Sequence, residues 1–223
     1  MLPRVLEIES MDTLEEALDY NSMDHSQVNR IFVDDLYAAG LAAEQGDILD
    51  LGTGTALIPI ELCRRVPDAR VLAVDVAQSM LSIGRHNVEK AGLSDRIRLE
   101  LVDCKGLPYS DGQFHTVISN SIVHHIADPV VVIKEAWRVT ALGGLIFFRD
   151  LVRPQDESEL SHLVETYAAG TNPLQRRMFE DSLRASLRVE EVRQLIVLLG
   201  FAPESVLATS DRHWTWTVQK TRA

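Results

Sequence analysis

Apolar and polar positions along this chain fall into two recurring patterns. Short apolar runs stand at Ile48 to Leu51, Arg70 to Asp75, Ile97 to Val102, Thr116 to Asn120 and Leu145 to Asp150. They lack strict alternation, as expected of strands covered on both faces in a parallel sheet. Between them lie stretches with apolar residues at helical spacing. Ala56 to Val66 is closed by Pro67-Asp68, Gln78 to Ala91 by Gly92, and Pro129 to Ala141, with Val130, Ile133, Trp137 and Val139, by Leu142-Gly143-Gly144. Further helices are predicted over Glu157 to Ala169, Gln175 to Leu187 and Arg188 to Leu199, with Asn172-Pro173 as a break and Gly200 as a stop. A terminal hairpin, Phe201 to Thr209 and Trp214 to Gln219, turns about Ser210-Asp-Arg-His. Two helices precede the first strand. Met11 to Tyr20 carries Thr13 and Glu16 in capping-box spacing, and Ser26 to Ala43 places Val28, Ile31, Phe32, Leu36 and Ala39 on one stripe. Strands alternating with helices predict an α/β fold, a doubly wound sheet of seven strands with helices on both faces.

Composition narrows the partners. The chain of 223 residues is 46% hydrophobic, enough for one domain with a real core. A net charge of −11 without a basic block argues against a nucleic-acid substrate. Two cysteines, Cys63 and Cys104, make neither a disulfide framework nor a cysteine zinc site and fit a reducing cytoplasm. The acidic first ten residues do not read as a signal peptide, and no stretch has the apolar length of a membrane span.

The chemistry concentrates at Asp50-Leu-Gly52-Thr53-Gly54-Thr-Ala56, where the first strand turns sharply into a helix. Glycines at 52 and 54 permit a tight turn and a close ligand approach. The helix N-terminus offers unpaired N–H groups. Asp75, 23 residues beyond Gly52, ends the second strand, where a carboxylate can accept the hydroxyls of a ribose. Val76 and Met80 follow, placed to pack on a base. A dinucleotide turn would need a third glycine at position 57, which is Leu57.

The pattern Asp50-x-Gly52-x-Gly54-x-Ala56 resembles motif I of the class I, Rossmann-like S-adenosylmethionine (SAM)-dependent methyltransferases, with Ala56 in the last glycine's place. Two later stretches extend the resemblance. Leu107-Pro-Tyr-Ser-Asp-Gly-Gln-Phe114 is similar to the family's entry to strand 4, and Glu135-Ala-Trp-Arg-Val-Thr-Ala-Leu-Gly-Gly144 to its Glu-x-x-Arg-Val-Leu-Lys-Pro-Gly-Gly run. The likeness covers residues 46–150 well and 188–219 loosely, and is nearest the small-molecule, ubiquinone/menaquinone type. It implies strand order 3-2-1-4-5-7-6 with strand 7 antiparallel, SAM as cofactor, and methyl transfer to a small-molecule acceptor. It also implies that Asp103, at the end of the third strand, binds the adenine amino group, with Cys104 beside it.

Residues 1–45 then read as a helical lid over a domain of residues 46–223, with a helical insertion at about 151–187. Tyr20, Met23, His25 and Asn29 are the lid residues nearest in sequence to a possible contact. After strand 4, Asn120, His124 and His125 leave the ligand edge of the sheet. Asn120 and His125 are candidate cofactor contacts, and His124 with Asp150 are the candidate catalytic residues. An imidazole with a pKa near 6.5 can take an acceptor's proton. The His-His pair has no third ligand nearby in sequence, so no metal is expected. Arg149, and in the insertion Tyr167, Arg176, Arg177, Met178 and Phe179, are candidates for an acceptor pocket. A homodimer is compatible with the composition. Other readings are an NAD(P)-dependent oxidoreductase, a non-catalytic SAM-binding regulator, and a methyltransferase of nucleic acid or protein. The first lacks a Tyr-x-x-x-Lys pair. Of the last, the adenine- and glutamine-directed types carry Asn-Pro-Pro-Tyr where the chain has Asn120-Ser-Ile-Val.

Overall fold

A computed structural model of the chain describes residues 1–7, 12–42 and 46–221. In chain order the elements are α1 (Leu14–Ser22), α2 (Ser26–Ala38), β1 (Ile48–Leu51), α3 (Leu57–Arg65), β2 (Val71–Asp75), α4 (Gln78–Ala91), β3 (Ile97–Leu101), β4 (Phe114–Asn120), α5 (Pro129–Val139), β5 (Thr140–Leu151), α6 (Glu157–Tyr167), α7 (Pro173–Ala185), α8 (Val189–Leu198), β6 (Val206–Ala208) and β7 (His213–Gln219). Short 3₁₀ turns occupy Val123–His125 and Pro203–Ser205. The predicted limits Met11 and Ala43 of the first two helices lie outside the described residues.

The seven strands form one sheet in the order β3-β2-β1-β4-β5-β7-β6. β1 runs parallel to both β2 and β4, β2 runs parallel to β3, and β7 pairs antiparallel with β6. This is the expected doubly wound topology, which brings the carboxyl ends of β1, β2 and β4 to one edge.

Two compact units are distinguished, one of residues 11–120, 131–148 and 217–223, the other of residues 1–10, 121–130 and 149–216. In the first, the core joins α2 and α3 to the sheet. Phe32, Leu36, Ile60, Leu62, Ile118 and Phe147 are all buried there, and the Phe32 ring meets Phe147 edge-on at 5.1 Å. Side chains of that size each contribute about 1.5–3 kcal/mol when buried. α1 is held against α4 by the buried cluster of Ala17, Ala77 and Met80 and by Asp12, whose carboxylate accepts the Ser79 N–H at 2.9 Å. Thr13 and Glu16 close the predicted capping box at the start of α1. In the second unit a separate core of Leu2, Leu151, Leu160, Leu163, Val164 and Leu183 packs α6 and α7.

Three boundaries differ from the sequence expectation for identifiable reasons. α7 begins at Pro173, because Asn172 and Gln175 form a capping box and proline occupies the first turn, where its missing N–H is harmless. The pair Asn172-Pro173 therefore starts a helix where the sequence suggested only a break. The second-last strand shrinks to Val206–Ala208, because Pro203–Ser205 turn as 3₁₀. β5 begins at Thr140 and continues through the glycine pair, because Gly143 N donates to Lys220 O (2.7 Å) and Lys220 N to Gly144 O (2.8 Å). The Lys220 ammonium also caps the end of α5, donating to the carbonyls of Trp137 (2.6 Å) and Thr140 (2.8 Å).

Gly144 is packed too closely for a side chain. A Cβ there would stand 2.7 Å from the His115 carbonyl oxygen and 2.9 Å from that of Ala141, both backbone atoms. A Cβ at Gly106 meets nothing within 4 Å. Gly144→Ala is therefore expected to destabilise the fold by about 2–3 kcal/mol, and Gly106→Ala by no more than about 0.5 kcal/mol. Urea denaturation of the two variants checks the contrast.

Candidate functional site

The turn between β1 and α3 is built by backbone conformation first. Gly52 (φ 70°), Gly54 (φ 55°) and Ala56 (φ 64°) are all left-handed. The first two are free to be so. Ala56 adopts the conformation at a cost of about 1–2 kcal/mol, and its buried methyl lies in the core. The N–H groups of Gly52 and Thr53 both go to Val74 O, at 2.8 and 2.9 Å, which ties the turn to β2. Asp75 completes the lock. One carboxylate oxygen accepts Gly54 N at 2.7 Å, and the other accepts Ala77 N at 2.8 Å, starting α4. Most of the turn's own N–H groups are thus used internally. Those of Leu57 and Ile58, in the first turn of α3, have no intrahelical acceptor and remain for a ligand.

A cleft opens at this point, lined by Tyr20, Asn29, Asp50, Gly52, Thr53, Thr55, Leu57, Ile58 and Asn120. It joins five predicted cofactor residues, Tyr20, Asp50, Gly52, Thr53 and Asn120, with the watched residue Asn29. Tyr20 covers the turn, since a Cβ on Gly54 would lie 3.9 Å from its ring carbon Cε1. The Tyr20 ring stacks on His25 at 4.6 Å, and the His25 Nε2 lies 3.0 Å from Tyr20 O. Asp50 is buried, and among the described residues its Oδ2 has no hydrogen-bond partner, nor has the buried Oγ1 of Thr55. Burial pushes the Asp50 carboxyl up to about 7, and the neighbouring Asp75 acts in the same direction. Asp75 itself is raised by burial, against which its backbone hydrogen bonds work. Burial and these two carboxylates push the Tyr20 phenol up to about 12.

The remaining predicted cofactor residues lie as follows. Gly54 is in the turn. Val76 is exposed, on the residue after β2. Met80 is buried with Ala17 and Ala77 between α1 and α4. Asp103 is exposed beyond β3, accepting Lys105 N at 2.9 Å and facing the Lys105 ammonium at 3.2 Å. Cys104 is half-buried, and burial pushes its thiol up to about 12. Met23 is half-buried after α1. Thr55, Leu57 and Ile58 escaped the sequence reading. Their only signal is position, at the start of the helix that follows the turn.

In the other unit, the two candidate catalytic residues His124 and Asp150 stand in contact, a pairing that the sequence did not indicate. His124 lies in the 3₁₀ turn after β4 and Asp150 near the end of β5. The His124 Nδ1 stands 2.5 Å from Asp150 Oδ1, and His124 N donates to Asp150 Oδ2 at 3.1 Å. Both side chains are almost wholly buried. Arg4 fixes the turn by donating to the carbonyls of His124 and Ile126, each at 3.2 Å, and to Ala185 O at 2.6 Å. Burial disfavours the His124 imidazolium, but the charge of Asp150, its hydrogen bond and the charge of Glu7 outweigh it and raise the pKa above 6.5. Burial likewise opposes ionisation of Asp150, and His124 reverses that, holding the carboxyl below its usual range.

His125 belongs to this cluster. Its ring lies 4.2 Å from that of His124, and its Nδ1 is 3.3 Å from Glu7 Oε1. Glu7, which no sequence signal singles out, also places Oε1 at 3.4 Å from His124 Nε2. Arg149 is buried and donates to Thr215 Oγ1 at 3.1 Å. Tyr167 is exposed, bonded to Asp211 at 2.5 Å beneath the Arg212 guanidinium. Arg176 and Arg177 are exposed on α7, while Met178 and Phe179 are half-buried, Phe179 against the α6–α7 core.

Comparison with known proteins agrees with this geometry. Residues 48–144 match a family model described as a methyltransferase domain. The demethylmenaquinone methyltransferase of Bacteroides fragilis is 28% identical over 107 residues, 48% of this chain and 44% of that protein. That of Porphyromonas gingivalis is 27% identical over 165 residues, covering 69% of this chain and 67% of that protein. The chain thus spans less than half the length of the first of these relatives. A crystal structure of a putative SAM-dependent methyltransferase from Methanococcus maripaludis superposes with a TM-score of 0.73 at 18% identity, covering 98% of both chains. Residues 48–144 are thus similar to methyltransferase domains, and the chain has the fold of that SAM-dependent methyltransferase structure.

Proposed function

We propose that this protein transfers the methyl group of SAM to a small-molecule acceptor. The observation that carries the reading is the cleft at the Gly52–Ala56 turn, where Asp75 locks the backbone and the buried Asp50 and Thr55 each keep a polar atom without a partner among the described residues. SAM carries a sulfonium, an ammonium and a ribose, so it supplies positive charge for Asp50 and hydroxyls for Asp75. Tyr20 and Asn29, from α1 and α2, act as the lid, and Asn120 closes the cleft from the end of β4. Val76, Met80, Asp103 and Cys104 form the adenine side.

The acceptor is a small molecule with an ionisable hydroxyl, such as the reduced, quinol form of the quinones that the demethylmenaquinone methyltransferases are named for. Its nucleophilic atom attacks the sulfonium methyl in line, and the chain mainly holds the partners in place. Orientation of this sort contributes up to about 7–11 kcal/mol. His124, held by Asp150 through Nδ1, removes the hydroxyl proton through Nε2. The likenesses to methyltransferases favour SAM over a nicotinamide cofactor or a purely regulatory role. Two cysteines without a disulfide framework support a cytoplasmic setting for the reaction. No helix of the described residues is long and apolar enough to cross a membrane.

Calorimetric titration with SAM, its demethylated product and NADH tests the cofactor. SAM and the product should bind, and binding of NADH alone would overturn the proposal. Asp50 also gives the affinity a pH dependence. With its carboxyl raised to about 7, the folded cofactor-free protein is favoured by a protonated Asp50. That stabilisation is complete below the unfolded value near 3.8 and is lost as pH rises to about 7. A cationic ligand favours the ionised form, so SAM should bind up to about tenfold more tightly per pH unit between pH 5 and 7. Asp50→Asn should flatten that dependence.

For His124, the base must be neutral. kcat/KM should therefore rise with pH through an apparent pKa above 6.5. Asp150→Asn should move that limb to lower pH, and His124→Gln should abolish it with a loss of about 10²–10⁴-fold in kcat and an unchanged affinity for SAM. Initial-rate profiles of the three proteins decide the matter.

A further inference from the structure

We infer that Glu7, His124 and His125 form a binding site for a divalent transition-metal cation of the zinc type, with an open coordination position for an oxygen ligand. Sequence spacing shows two histidines side by side and no third ligand. The fold supplies one from far upstream, since Glu7 lies more than a hundred residues before His124. The three ligand atoms lie within 4.8 Å of one another.

The spacings fit a shared ion better than direct hydrogen bonds. Glu7 Oε1 is 3.4 Å from His124 Nε2 and 3.3 Å from His125 Nδ1. Nitrogen–oxygen hydrogen bonds prefer about 2.7–3.2 Å. Ligand atoms bound about 2.0–2.2 Å from a tetrahedral zinc ion stand about 3.4 Å apart. Glu7 Oε1 is buried with no hydrogen-bond partner among the described residues, an arrangement that an isolated carboxylate oxygen tolerates poorly.

The surroundings are those of a built site. The His124 Nδ1 is engaged by Asp150 at 2.5 Å. That contact fixes the ring orientation, sets the proton on Nδ1, and turns the Nε2 lone pair toward Glu7. A carboxylate behind a ligating histidine is the usual support of such centres. Ser182 hydrogen-bonds the Glu7 carboxylate, and Arg4 pins the carbonyls of His124 and Ile126. Two nitrogens and one carboxylate suit zinc or iron(II), and three protein ligands leave one place open, as in catalytic zinc sites. Magnesium, which seeks six oxygens, is a poor match.

Proton and cation compete for His124 Nε2. A bound cation would occupy Nε2, so that His124 could not act as the base; it would instead lower the pKa of an acceptor hydroxyl in the open position, whose proton would pass to solvent water. That consequence rests on the methyl-transfer reading, whereas the cation site does not.

The test uses the full chain, freed of metal with a chelator and titrated with zinc chloride, cobalt chloride and magnesium chloride. One equivalent of zinc should bind, cobalt should develop the intense visible bands of a tetrahedral centre, and magnesium should give no heat. Glu7→Gln and His125→Ala should each weaken zinc binding by at least tenfold, and Asp150→Asn by about 10–100-fold. Zinc should also raise the melting temperature of the wild-type protein, and a chelator should reverse the rise. The wild-type results decide the question if a variant fails to fold. Absence of zinc and cobalt binding by the folded wild-type protein, or affinity unchanged in folded Glu7→Gln and His125→Ala, would overturn the inference and leave His124 as a protonated bridge between two carboxylates. Because the readout is metal binding, its failure would leave SAM binding and methyl transfer standing.

Discussion

The hydrogen bond from Gly54 N to the Asp75 carboxylate is the contact on which the cleft depends. It joins the turn after β1 to the end of β2, two points 21 residues apart in the chain. The same carboxylate starts α4 through Ala77 N, so one side chain sets the turn, the second strand end and the next helix. With Val74 O taking two further N–H groups, little of the turn's hydrogen-bonding capacity is left over. The remaining polar atoms, on Asp50, Thr55 and the first turn of α3, are therefore the ones that define what can bind. An interior that leaves one oxygen of a buried carboxylate without a partner among the described residues is held at a disadvantage until a ligand of opposite charge arrives.

Ala56 shows how closely this geometry is specified. A left-handed residue between turn and helix is best filled by glycine, and the chain carries alanine there instead. The methyl is buried, so core packing offsets part of the backbone penalty. Across the turn, Gly84 of α4 approaches Gly54 O and Thr55 C so closely that a Cβ would sit 3.4 Å from each, in contact with the neighbouring Ala56 methyl at 3.5 Å. Small residues on α4 thus let the helix lie directly against the turn.

Much of this was legible in the sequence. The α4 limits Gln78 and Ala91, the stop at Gly92 and the strand order all follow from local pattern or from the resemblance. Local signals failed where a distant partner decides the outcome. Gly143-Gly144 reads as a break, yet Lys220 supplies reciprocal backbone bonds that carry β5 through it. Asn172-Pro173 reads as an interruption, yet its side-chain cap begins α7. Glu7 carries no periodic or motif signal, and only the chain's path brings it to the histidines. The lining residues Leu57 and Ile58 were hidden because backbone N–H groups, which any residue type supplies, make them useful, and Thr55 because nothing local marks its hydroxyl as buried in the cleft.

Amide chemical-shift mapping of the isotope-labelled chain during titration with the demethylated product of SAM tests the cradle most directly. The largest changes should fall on Gly52, Gly54, Leu57, Ile58 and Ala77, because these amides sit in the turn, at the open helix end or on Asp75. Saturable binding that leaves those five amides unmoved while shifting others would contradict a cofactor site held by Gly54 and Asp75.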